Sequence, residues 1–142
     1  MCKLIKLLQS LLFTIVIMPV TVYAAPDIDL EQANNYMRQV RAFLDTKTND
    51  FNSLESMLDR MEDLQDQANT CIERTNSQLQ AISDLEKDSG LSEQLSGASE
   101  DAIYIKNKKQ LQARKLSGCR LFVFKSQDLI VALKEVIHDA SQ

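Results

Sequence analysis

The chain has 142 residues, with 16 Lys plus Arg, 20 Asp plus Glu and a single His, giving a formal net charge of -4 at pH 7. A chain this short builds one domain and not two with separate cores. Its acidic balance excludes a nucleic-acid binder that neutralises phosphates with a broad basic face.

The amino terminus comes first. Lys3 and Lys6 precede an almost wholly apolar stretch, Leu7 to Val22, and "VYAAP" follows with slim residues at Val22 and Ala24. This is the three-part layout of a secretory signal peptide, with cleavage between Ala24 and Ala25. An uncleaved anchor is the alternative, because Leu7 to Ala25 is about the length of a bilayer span; Gln9, Ser10 and Pro19 within the stretch favour removal. Cys2 lies ahead of the apolar run and not at the cleavage point, so it does not read as a lipid-modified cysteine. Residues 1-24 are therefore expected to be a signal peptide, and residues 25-142 a helical periplasmic domain, with inner-membrane association left open. Loss of Lys3 and Lys6 takes the formal charge from -4 to -6.

From Asp27 to Ser89 there is neither Gly nor Pro, the usual punctuation of loops and strands, so helix is the default. Ala33, Tyr36, Met37, Val40, Phe43 and Leu44 show helical spacing. "DTKTND" (Asp45 to Asp50) is a polar interval that either breaks the helix or is crossed by it; a break fits better, with Asn49 or Asp50 as the cap of a new helix. Beyond it Phe51, Leu54, Leu58, Met61, Gln65, Ala68, Ile72, Thr75, Leu79 and Ile82 alternate steps of three and four. Met57, Leu64, Cys71 and Leu85 widen that seam, which suits a packed bundle face better than a narrow two-stranded zipper.

"KDSGLSEQLSGASED" (Lys87 to Asp101) reads as the main turn. Gly90 is placed to end the long helix, and Ser99 with Glu100 and Asp101 is placed to begin the next. After Ala102, helical spacing resumes through Ile105, Leu111, Cys119, Phe122, Leu129, Leu133, Val136 and Ile137. Beta-prone "RLFVF" (Arg120 to Phe124) is where a strand competes, but the flanking period favours helix. The expected fold is all-α: an antiparallel helical hairpin or three-helix bundle with long, coiled-coil-like helices.

Charge supports that pairing. Asp45 to Ser89 carries eleven acids against four bases, whereas Lys106, Lys108, Lys109, Arg114, Lys115, Arg120 and Lys125 face one acid, Asp128, between Ala102 and Asp128. An acidic arm, a turn and a basic arm fit if each arm is the other's partner, and the segment Lys115 to Ile137 is expected to pack back on Phe51 to Leu85. The competing use of Lys106, Lys108, Lys109, Arg114 and Lys115 is contact with an anionic membrane surface.

Cys71 and Cys119 are the cysteines that survive cleavage, an even count in an oxidising compartment. They are equidistant from Leu95, inside the expected turn, so a folded-back hairpin puts them at one level. Small Gly118 and Ala68 would help two helix axes that usually lie about 8 to 10 Å apart to approach within disulfide reach. A Cys71 to Cys119 bridge is expected, with two buried free thiols as the alternative.

Catalytic chemistry is hard to find. His138 is near the carboxyl end with no clustered Cys or carboxylate, so a solvated side chain is the expected reading. Glu62 with Asp63 and Glu100 with Asp101 are adjacent in sequence and point to different helix sides. No phosphate loop, nucleophile elbow, CxxC or HExxH occurs. No catalytic residue, metal site, cofactor or small-molecule substrate is inferred, and a non-enzyme is expected.

The order of features in "ANTCIERTNSQLQAISDLEKDSGLSEQLSGASEDAIYIKNKKQLQARKLSGCRLFVFKSQDLIVALKEVI" resembles the helical periplasmic domain found before the pore of some large MscS-type mechanosensitive channels. The matching parts are the helix carrying Ile72, Leu79, Ile82 and Leu85, the acidic turn, Glu100 ahead of Ile103, and the basic helix ending "CRLFVFKSQDLIVAL" with Arg120, Leu121 and Leu129. The resemblance implies a non-enzymatic extracytoplasmic module of a channel, and it carries over no site residues. Pore helices are not among the 142 residues, so the expectation is a truncated or split version, or a module that works alone. The alternative is a free periplasmic adaptor or chaperone-like hairpin, meeting a protein partner or a second copy through its apolar face.

Overall fold

The computed structural model describes residues 27–46, 50–88 and 100–142. Both sides of the expected Ala24/Ala25 cleavage, the Asn49 cap and the Gly90 and Ser99 caps lie outside the described residues. Three helices follow in chain order: α1 (Leu30–Asp45), α2 (Phe51–Asp88) and α3 (Glu100–Ala140). No described residue is in a strand, and "RLFVF" is helical throughout. The fold is the all-α hairpin anticipated from the spacing, with a third, shorter helix laid against it.

Local chemistry fixes the helix starts. Asp29 caps α1, its Oδ1 accepting from the amides of Glu31 (3.0 Å) and Gln32 (3.1 Å), which satisfies donors that the first turn leaves free. Asp50 caps α2, with Oδ1 accepting from the Ser53 amide at 3.3 Å and Oδ2 from its hydroxyl at 2.6 Å. These contacts hold the Asp50 carboxyl below its ordinary range. Helix α1 ends at Asp45 and α2 begins at Phe51, so the polar interval is indeed a break.

At about 1.5 Å per residue, the 38 residues of α2 and the 41 of α3 make arms of similar length. They pack mainly on each other, while α1 lies chiefly on α3 and only lightly on α2. The core joins Leu54, Met61, Leu64, Ala68 and Cys71 of α2 to Cys119, Phe122, Leu129, Ile130 and Leu133 of α3, with Ala33, Met37 and Val40 of α1. Each large apolar side chain withdrawn from water contributes roughly 1.5 to 3 kcal/mol, so this stripe is what the hairpin depends on. Thr75 and Ser126 are buried polar members. Gln65 Nε2 donates to Ser126 Oγ and to Gln127 Oε1, both at 3.1 Å, and Ser126 Oγ donates to the Val123 carbonyl at 3.0 Å. A polar layer inside an apolar seam favours one register, since a slip would strand its groups.

Three seam residues depart from expectation. Leu85 and Leu111 are each 65% exposed and Val136 is 38% exposed. Leu85 and Leu111 lie on the arms toward the turn end, where Lys109 pairs with Glu86 at the surface. Val136 lies near the end of α3, beyond the last buried residue, Leu133. On α2 Leu54, Met61, Ala68, Thr75 and Ile82 are buried as the spacing predicts, while Gln65 and Ile72 are half-buried and their neighbours Leu64 and Cys71, read as widening the seam, are the buried members.

Candidate functional site

The two arms are locked at one level by Cys71 and Cys119, whose sulfurs are paired as a disulfide with a Cα–Cα distance of 6.4 Å. Both cysteines are buried. A disulfide sulfur has no proton, so the Thr75 hydroxyl is the donor in its 3.9 Å contact with Cys71 Sγ. Gly118 is used differently from the reading above: a β-carbon there would lie 2.8 Å from Leu30 Cδ1. Its missing side chain admits the start of α1, while Ala68 belongs to the α2 core line.

A junction that the sequence did not suggest ties α1 to both arms. Asp27 Oδ1 accepts from Arg74 Nη1 at 2.7 Å and its Oδ2 accepts from Lys115 Nζ at 2.8 Å. Chiefly the Lys115 hydrogen bond, against a smaller opposing effect of burial, holds the Asp27 carboxyl below its usual range. Between α1 and α2 runs an open polar groove of about 590 Å³, lined among others by Asp29, Tyr36, Arg60 and Gln67. Burial raises the Tyr36 phenol, and Arg60 is paired with Asp63 at 3.1 Å.

The five bases singled out for an anionic surface divide. Lys109 pairs with Glu86 at 2.7 Å, Lys115 with Asp27, and Lys108 sits 5.9 Å from the Tyr104 ring centroid. Lys106 and Arg114 are exposed and in no ion pair among the described residues. Lys134 with Glu62, at 2.8 Å, is a second bond between the acidic and basic arms. The basic arm is thus partly spent on its own protein. His138 is exposed, with Nε2 3.0 Å from Gln142 Nε2. Among the described residues no three His, Cys, Asp or Glu are grouped to hold a metal ion, and no helix is long and apolar enough to cross a membrane.

What stands out is the outer face of α3. While Cys119, Phe122, Ser126, Leu129 and Leu133 are buried, Leu121, Phe124 and Val131 are 51%, 74% and 46% exposed. Steps of three and seven put these three on one side of a helix, turned away from the buried line. Helix α3 is therefore apolar on two sides, and one of them has no partner among the described residues. The sequence held that signal: "RLFVF" supplies both sides at once, Phe122 inward and Phe124 outward, which made it look like a strand.

No family model, curated protein or solved structure matches the chain.

Proposed function

We propose that this protein is a non-enzymatic, exported helical module that works by packing the outer face of α3 against a protein partner. The observation that carries the reading is the exposure of Leu121, Phe124 and Val131 on a disulfide-clamped hairpin. A rigid scaffold that holds apolar side chains in water presents a surface on which association recovers the hydrophobic free energy of burial. The paired cysteines and the amino-terminal signal pattern support an oxidising, extracytoplasmic setting. The resemblance to the extracytoplasmic domain of MscS-type channels suggests one class of partner, a membrane protein; a free periplasmic adaptor uses the same face.

A photo-crosslinking amino acid placed at Phe124 in the full chain, in living cells, tests this. A discrete protein adduct is expected at Phe124 and not at Asn76, an exposed polar position on α2. Equal absence of adducts at both positions would reject the face as a working surface.

A further inference from the structure

We propose that the partner on this face is a second copy of the chain, paired antiparallel along α3. The inference rests on the outer face being a docking surface, and adds to it which molecule docks and in which direction. Its basis is the order of charges around the apolar residues. Arg114 and Arg120 precede Phe124, whereas Asp128, Glu135 and Asp139 follow it, and all five are exposed. None of these five, nor Lys125, is in an ion pair among the described residues. By contrast the neighbouring Lys134 is turned to Glu62 of its own α2.

A face on which Arg114 and Arg120 come before, and Glu135 and Asp139 after, the apolar Phe124 and Val131 is complementary to itself only when reversed. Parallel copies would set Arg120 against Arg120 and Glu135 against Glu135. Antiparallel copies related by a two-fold axis between Gln127 and Asp128 set Phe124 against Val131 of the other copy, and Arg120 against its Glu135. Both matches arise from the same axis because each pair is equidistant from it. Asp128, close to the axis, then meets Lys125 of the other copy within about 3 Å along the helix, which offsets the nearby second Asp128. Arg114 reaches toward Asp139 in the same way. A two-fold axis makes every contact occur twice, so four or more opposite-charge contacts accompany two small apolar contacts, one on each side of the axis. One helix face buries less than the about 800 Å² per partner of a standard interface, so the association is concentration-dependent.

The test uses the full chain with its disulfide intact, measured by sedimentation equilibrium over a wide concentration range. The mass is expected to rise from one chain toward two. Arg120→Glu and Glu135→Arg, both at exposed positions and checked for unchanged helicity, are each expected to weaken the dimer by at least about tenfold. The chain carrying both substitutions is expected to recover most of that loss, because the pair is merely exchanged. Phe124→Glu is expected to leave a monomer. A single-chain mass at every concentration, a dimer indifferent to Phe124→Glu, or a double variant no better than the single ones would each overturn the proposal. If the Phe124 crosslink in cells joins a different protein while the purified chain stays monomeric, the docking face stands and the second copy is rejected; if neither forms, both fall.

Discussion

Cys71 and Cys119, 48 positions apart in the chain, bring their α-carbons to 6.4 Å, nearer than the usual spacing of packed helix axes. One covalent bond thereby sets which residue of α2 lies level with which residue of α3. Everything further along the arms, including the Gln65 contact with Ser126 and the Lys134 contact with Glu62, is in step with it.

Cutting that bond should be among the costliest single changes. The loop it closes is long, and the chain-entropy account gives stabilisation on the order of 4 kcal/mol for such a loop. Thermal unfolding followed by circular dichroism, with and without reductant, should show a large drop in midpoint. Cys71→Ser with Cys119→Ser should give the same lower midpoint and be indifferent to reductant.

Phe122 and Phe124 form a controlled pair, two residues apart on opposite sides of α3. Phe122 is 1% exposed, so Phe122→Ala should destabilise the folded chain by about 3 to 5 kcal/mol through lost burial and a cavity. Phe124→Ala should change monomer stability by no more than about 0.5 kcal/mol. Urea unfolding of both variants at low protein concentration measures the contrast.

Asp27 should make stability fall at low pH. Its carboxyl is held below its ordinary value of 3.8 in the folded chain, first by the Lys115 hydrogen bond. A group whose folded value is depressed contributes stability above its unfolded value and loses it as pH falls through the folded one. Asp27→Asn should therefore cost about 0.5 to 1 kcal/mol near neutral pH, the scale of partly exposed ion pairs. That difference from the parent chain should close below the ordinary carboxylate range, as seen by denaturation at a series of pH values.

Gly118 should tolerate one methyl group and little more. Gly118→Ala gains about 1 kcal/mol of helix propensity and needs only the end of the Leu30 side chain to move, so stability should stay near that of the parent. Gly118→Val should lift the start of α1 from α3 and cost about 1 to 3 kcal/mol. Loss of the Asp27 contacts should follow, so a further Asp27→Asn change in that background should have little effect.

The fold was legible because its signals are redundant. Absence of Gly and Pro between Asp27 and Ser89, the three-four spacing and the two equidistant cysteines all specify one hairpin, and the structure has it. The exact line of burial was less legible: Gln65 and Ile72 were read into the seam where Leu64 and Cys71 are the buried members, because neighbouring positions both satisfy a broad stripe. Leu111 and Val136 were read as core from spacing alone, which cannot show where along an arm its partner stops covering it. Asp27 was invisible as a junction, since Arg74 and Lys115 are 47 and 88 positions away. The outer face was missed for a further reason: a periodicity fitted to one stripe absorbs a second stripe as noise.

The register of the hairpin is held by one covalent clamp, and intact mass tests both that clamp and the proposed export most directly. The full chain would be expressed in a Gram-negative host and recovered from the periplasm, then weighed with and without reductant and thiol alkylation. The account predicts a chain that begins at Ala25, is lighter by two hydrogens, and takes up alkylating reagent only after reduction. A chain that retains residues 1–24, or one whose two thiols alkylate freely when unfolded without reductant, would contradict it.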